Sequence, residues 1–235
     1  MKTFKKFLIL NFALLSLYSF AQNKAELTQH YKDYYKQMKL QGDVQGIING
    51  LTHLIVLEPS QERLDTLGYI YMTENKYMQA LKTVGIEKNA NDSDMNVEVK
   101  AVCLKSLNKP KLALEHFEVL FKRSPNAYLA YELADLKLQT DDIAGAKTNI
   151  EYGLANVKDD MKRAFYETQQ PYQTSLKAAL LCLKGLTLFT ENQTTNLDAA
   201  LKLMNDALAI DSNFNLARLT REALEKRKAQ PTNKK

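Results

Sequence analysis

An all-α fold, an α-solenoid of about five helix-turn-helix units closed by a C-terminal capping helix, is what this sequence predicts. Three observations carry the prediction. Turn-forming residues Gly42, Asn75, Asn108 and Asp141 recur every 33 residues, and each is a type that tolerates tight or left-handed backbone. Small and bulky residues keep the same register. Ile47, Ala80, Ala113 and Ala146 follow the turns, then Leu51, Val84, Phe117 and Ile150, while Tyr35, Gly68, Ala101 and Ala134 precede them. Apolar residues recur at three- and four-residue steps on both sides of each turn, as amphipathic helices require.

The first 21 residues stand apart. Lys2, Lys5 and Lys6 precede an apolar run from Phe7 to Leu17, and the small residues Ser19 and Ala21 straddle Phe20. That is the layout of a secretory signal peptide cleaved between Ala21 and Gln22. The run is shorter than the ~20 residues a membrane-spanning helix needs, so no stable membrane anchor is expected. The mature chain is expected to be periplasmic or secreted. Losing three lysines turns 32 basic and 27 acidic residues into 29 against 27. So nearly neutral a surface argues against nucleic acid as a partner.

The units fall at about residues 28–60, 61–93, 94–126, 127–170 and 171–213, with a cap helix at 214–228 and a disordered tail at 229–235. Pro59 and Pro125 end second helices, because proline cannot extend the hydrogen-bond ladder. The small residues sit where two antiparallel helices cross closely, with a bulky side chain filling the space from the facing helix. Register breaks once. From Ala134 to the next comparable small residue, Gly185, is 51 residues. Val157, Met161, Phe165 and Tyr166 keep helical spacing through this excess. The second helix of the fourth unit is therefore expected to run on to about Thr168 before Pro171 starts the next. Cys103 and Cys182 lie in apolar helical stretches of units separated by an intervening one. Two buried free thiols are expected rather than a bridge.

The motifs resemble those of tetratricopeptide repeats. LGYIYMTENKYMQAL (67–81) has the Leu-Gly pair, the tyrosine three residues on and the later alanine; QGDVQGIINGLTHLIVLEP (41–59) has the Gly-Asp turn and terminal proline; LDAALKLMNDALAIDSN (197–213) has both alanines. The first unit departs, with Tyr35 in place of a small residue and Ile47 in place of alanine. The resemblance implies a right-handed solenoid whose first helices line a concave groove. Carried onto this register, the inward positions are Lys32, Lys36, Asp65, Tyr69, Met72, Glu98, Tyr128, Tyr131, Asp135 and Leu138. Tyrosine and methionine suit protein binding, and serve equally well in packing between helices. The basic carboxylate clamp of some family members is not reproduced, since Lys32 and Lys36 are followed by Thr66, Met95 and Val99.

No catalytic constellation accompanies the repeat. His53 and His116 fall on second helices of different units, and metal-ligand, phosphate-loop and nucleophile motifs are missing from the sequence. No enzyme activity, cofactor or metal is expected. The reading is an exported scaffold for a protein or peptide ligand, with self-association through the end units also open. A chaperone-like holdase or accessory subunit of an envelope machine is the alternative.

Overall fold

The computed structural model describes residues 23–229. The segment expected to be a signal peptide and the tail beyond Ala229 lie outside the described residues. Helix α1 covers residues 23–41. It is followed by α2 (Val44–Leu57), α3 (Gln61–Thr73), α4 (Tyr77–Val84), α5 (Asp94–Ser106), α6 (Pro110–Arg123), α7 (Ala127–Gln139) and α8 (Ile143–Asn156). A two-stranded antiparallel hairpin, β1 (Lys162–Phe165) and β2 (Tyr172–Ser175), then leads into α9 (Leu176–Glu191), α10 (Leu197–Ile210) and α11 (Asn215–Ala229). The chain divides into two compact units that meet at Cys103 and Leu104, within α5.

The 33-residue turn column has one geometry throughout. Gly42, Asn75, Asn108 and Asp141 all have φ between 55° and 68°, in the left-handed region. Each next residue donates its N–H to the carbonyl five positions back: Asp43 to Met38, Lys76 to Tyr71, Lys109 to Leu104 and Asp142 to Lys137. This is the Schellman ending, which satisfies the helix's orphan carbonyls and reverses the chain within two residues. Asp43 and Asp142 then cap the following helices, accepting from Gly46 N and Gly145 N at 2.9 Å.

The small-residue columns sit at crossings. Ala80, Ala101, Ala113, Ala134, Ala146 and Ala200 are wholly buried. A Cβ added at Gly68 would lie 2.5 Å from Val84 Cγ1, and one at Gly185 would lie 2.3 Å from Met204 Cε. Gly68→Ala gains up to about 1 kcal/mol of helix propensity but overlaps a stiff β-branched side chain, at about 1–3 kcal/mol. A net loss of about 1–2 kcal/mol in urea unfolding is expected. Adding Val84→Ala should recover part of it; a double variant no better than the sum of the singles would refute the crossing.

In the first unit the small residue has moved to the other helix. A Cβ at Gly50 would meet Tyr35 Cβ at 3.1 Å and its Cα at 3.2 Å, so Tyr35 crosses a glycine instead of being one. The α1 surface is also more polar. Three periods before the buried Leu133 and Leu136 of α7 stand the half-buried Tyr34 and the exposed Gln37. At these positions α1 is more exposed to solvent than α7.

The expected continuous fourth-unit helix is corrected: α8 stops at Asn156 and the hairpin follows. The register pairs Lys162 with Ser175, Arg163 with Thr174, Ala164 with Gln173 and Phe165 with Tyr172. The chain's apolar residues at this point serve a period of two as well as one of three and four, and tertiary contacts decide. Phe165 stacks on Tyr172 (ring centroids 5.8 Å) and lies 5.1 Å from Phe214 in the α10–α11 turn. Thr174 Oγ1 donates to Asp211 Oδ2 (2.6 Å), and Leu216 N donates to Tyr172 Oη (3.2 Å). Cys103 and Cys182 are both free and buried; burial pushes their thiols up to about 11 and about 12, leaving little thiolate for reaction.

Candidate protein-binding surfaces

In the first of the two compact units, α1 and α3 carry Lys32, Lys36, Asp65, Tyr69 and Met72, and α5 carries Glu98. Lys36 is exposed and pairs with no acid among the described residues. Lys32 reaches Glu58 Oε2 at 3.2 Å. Hydrogen bonds from Lys32 and then Arg63 hold the Glu58 carboxyl below its usual range. Tyr69 is 38% exposed and Glu98 is exposed, although neighbouring protein raises the Glu98 carboxyl by partial desolvation. Met72 is buried in the core.

Asp65 is buried too, and its oxygens are committed within the protein. Oδ2 accepts from Ser93 Oγ (2.6 Å); Oδ1 accepts from Asn96 Nδ2 (2.7 Å) and Gln61 Nε2 (2.8 Å). Ser93 in turn caps α5 at Asn96 N. The carboxylate thus ties α3 to the start of α5 instead of facing a ligand. Burial alone would raise its pKa, but the donations from Ser93, Asn96 and Gln61, with the charge of Lys100, outweigh burial and lower it. A carboxyl lowered on folding contributes stability above its unfolded value, here 3.8, and loses it as pH falls through the folded value. Wild type should therefore exceed Asp65→Asn in stability at pH 7, with the gap closing in denaturant titrations below about pH 4. A gap that stays constant to pH 2 would refute this role.

In the second compact unit the α7 positions are divided. Tyr128 is 41% exposed. Leu138 is half-buried and packs on the core. Tyr131 is 6% exposed, because the Arg163 guanidinium from β1 lies 4.2 Å over its ring. Burial drives the Tyr131 hydroxyl well above the usual phenol range, with Arg163 opposing. Arg163 also bonds Glu132, which bonds Lys105; Lys105 Nζ reaches Asp135 Oδ2 at 2.8 Å. The hairpin and this charge chain cover the middle of α7, so Tyr131 and Asp135 are engaged internally. Cys182 of α9 is buried in the same core as Phe165 and Tyr131.

Arg163, Glu132, Lys105 and Phe165 were not legible as site-shaping residues from the repeat register. The available signal was local: KRAF and YQTS, two four-residue runs with alternating character, around a six-residue turn ending in Pro171. His30 and His53 both lie against Tyr31, at 5.4 and 4.1 Å between ring centroids, whereas His116 is buried on α6. Among the described residues no group of three His, Cys, Asp or Glu side chains is placed to hold a metal ion.

Antiparallel helix pairs, four of them joined by left-handed turns, that cross at glycine or alanine define the tetratricopeptide repeat fold, and the chain has that fold. It superposes on YrrB, described as a TPR protein with an unusual peptide-binding site, with a TM-score of 0.63 and 14% identity, over 82% of this chain and 90% of that one. It superposes on the MamA protein with a TM-score of 0.58 and 16% identity, over 80% and 93% of the two chains. MamA from residue 41 onward of Desulfovibrio magneticus RS-1 gives 0.60 and 13%, over 80% and 97%. No family model matches the sequence, and no curated protein matches it.

Proposed function

We propose that the chain is an exported scaffold that binds a protein or peptide segment in the cell envelope and has no catalytic activity of its own. The observation that carries this reading is the state of the first-helix positions. Tyr69 and Tyr128 remain exposed on their helices, while the other aromatic position, Tyr131, is filled internally. Exposed tyrosine offers apolar area and a hydroxyl with few rotors to freeze, the usual material of a binding hot spot. The likeness to a protein described as having a peptide-binding site supports the reading at the level of fold. Export rests on the segment from Met1 to Ala21, and mass spectrometry of the mature chain should find Gln22 at its N-terminus.

The binding test is affinity capture from an envelope extract with the mature chain as bait. One partner should be enriched, and Tyr69→Ala or Tyr128→Ala should weaken it about tenfold, the ~1.4 kcal/mol of a moderate hot spot. Capture indifferent to both substitutions would overturn this reading. A holdase would instead suppress aggregation of several unrelated clients.

A further inference from the structure

We infer that the outer edge of β1 is a docking edge for an extended segment of a partner protein, which adds to the hairpin as a third strand. The inference rests on the peptide-binding reading above and names where and how the segment is held. Leu176 N donates to Met161 O at 2.9 Å, which makes that pair a hydrogen-bonded one in the antiparallel register. Bonded and non-bonded pairs alternate along such a ladder. Arg163 and Phe165 therefore bond to Thr174 and Tyr172, while Lys162 and Ala164 face Ser175 and Gln173 without bonding. The N–H and C=O groups of Lys162 and Ala164 point away from β2, and no hydrogen bond from another described element reaches them.

An open edge is a template for strand addition, and proteins usually blunt or cover it. This one is held rigidly in place. Arg163, Phe165, Tyr172 and Thr174 point inward, into contacts with α7, the α10–α11 turn and α11. Lys162 is exposed and makes no ion pair among the described residues. Tyr166, directly after the strand, is 75% exposed. Four edge groups flanked by a free ammonium and an aromatic ring suit a short extended segment with an acidic residue opposite Lys162 and a β-branched or aromatic residue near Tyr166.

The probe is a phage-displayed random dodecapeptide library selected against the mature chain, with the best binder then synthesised. Selected peptides should be rich in β-branched and acidic residues. Ala164→Pro removes an outward N–H that β2 does not use, as edge positions tolerate, and should weaken binding at least about tenfold. Gln173→Pro makes the same change on the other strand and should leave affinity within about twofold. Lys162→Glu should weaken acidic binders further at low salt. As a check independent of variant folding, the Lys162 and Ala164 amides should exchange rapidly in the free wild type and slow on adding peptide. Binding that survives Ala164→Pro but falls with Tyr69→Ala or Tyr128→Ala overturns the edge and leaves the scaffold reading standing. Lys162 and Ala164 amides unchanged by a bound peptide also overturn the edge. A library that yields no binder overturns both.

Discussion

Phe214→Ala should cost about 3–5 kcal/mol of unfolding free energy, the range for deleting a buried aromatic ring, and should loosen the hairpin selectively. Phe214 has no solvent exposure, although it lies in the turn between α10 and α11 and not within a helix. Its ring is 5.1 Å from Phe165 and 6.5 Å from Tyr172, so it is the platform on which both strands rest. Truncation leaves a cavity lined by those two rings, and closing it would require moving a hairpin already tied at Thr174 and Leu216. Against a typical domain stability of ~5–15 kcal/mol the loss is large. Hydrogen exchange separates the local effect from the global one. Under native conditions the amides of Arg163 and Phe165 should lose protection, while those of α2 and α3 in the other unit should keep theirs. Hairpin amides as protected as in the wild type would show that another contact seats it. Phe214→Leu should retain most of the packing and about half or more of the lost stability.

The helix pairs could be read from the sequence because they repeat. A left-handed residue at Asn75 or Asn108 is ambiguous alone; in register with Gly42 and Asp141 it marks a turn, and all four have positive φ. Gly68 and Gly185 were legible for the same reason: a crossing imposes one steric demand wherever it occurs. The hairpin belongs to no period. Residues 157–166 support helix or strand on spacing alone, and Phe214, about 50 residues later in the sequence, tips the balance to strand. The site was only half legible by the same logic. The register indicates which helix face a residue occupies, so it placed Tyr69 and Tyr128 where they are exposed. It cannot indicate what lies over that face. Asp65 and Tyr131 share one column of the register with Lys32 and Glu98, which are exposed; Tyr131 is covered by Arg163, and Asp65 is consumed by Ser93 and Asn96. The carboxylates of Asp65, Glu132 and Asp135 are drawn into cap and strut roles by neighbours that a column comparison does not include.

Glu132 tests whether charge as well as aromatic packing seats the hairpin. Its carboxylate serves two cations, Arg163 and Lys105, and its side chain is 17% exposed beside 22% and 25% for theirs. Removing it leaves Lys105 with Asp135 but leaves Arg163 with the aromatic faces of Tyr131 and Phe165 and only the more distant charge of Asp135. Glu132→Ala should therefore cost about 2–4 kcal/mol, less than a fully buried pair because water reaches each group. Arg163→Ala deletes the orphan as well as the pair, so the double variant should cost less than the two singles together. A double-mutant cycle is expected to give about 1–2 kcal/mol of coupling. That coupling should survive in 0.5 M salt, whereas the exposed Arg218–Glu222 pair of α11, at 46% and 43% exposure, should contribute about 0.3–0.5 kcal/mol and lose it. Arg163→Lys adds a second discrimination, since an ammonium keeps the charge but has no planar face to lay on Tyr131. If charge alone held β1 in place, lysine would restore full stability. The stacking geometry instead predicts partial rescue, and a cycle coupling below about 0.3 kcal/mol would remove Glu132 from the account and leave the aromatic platform to hold the hairpin by itself.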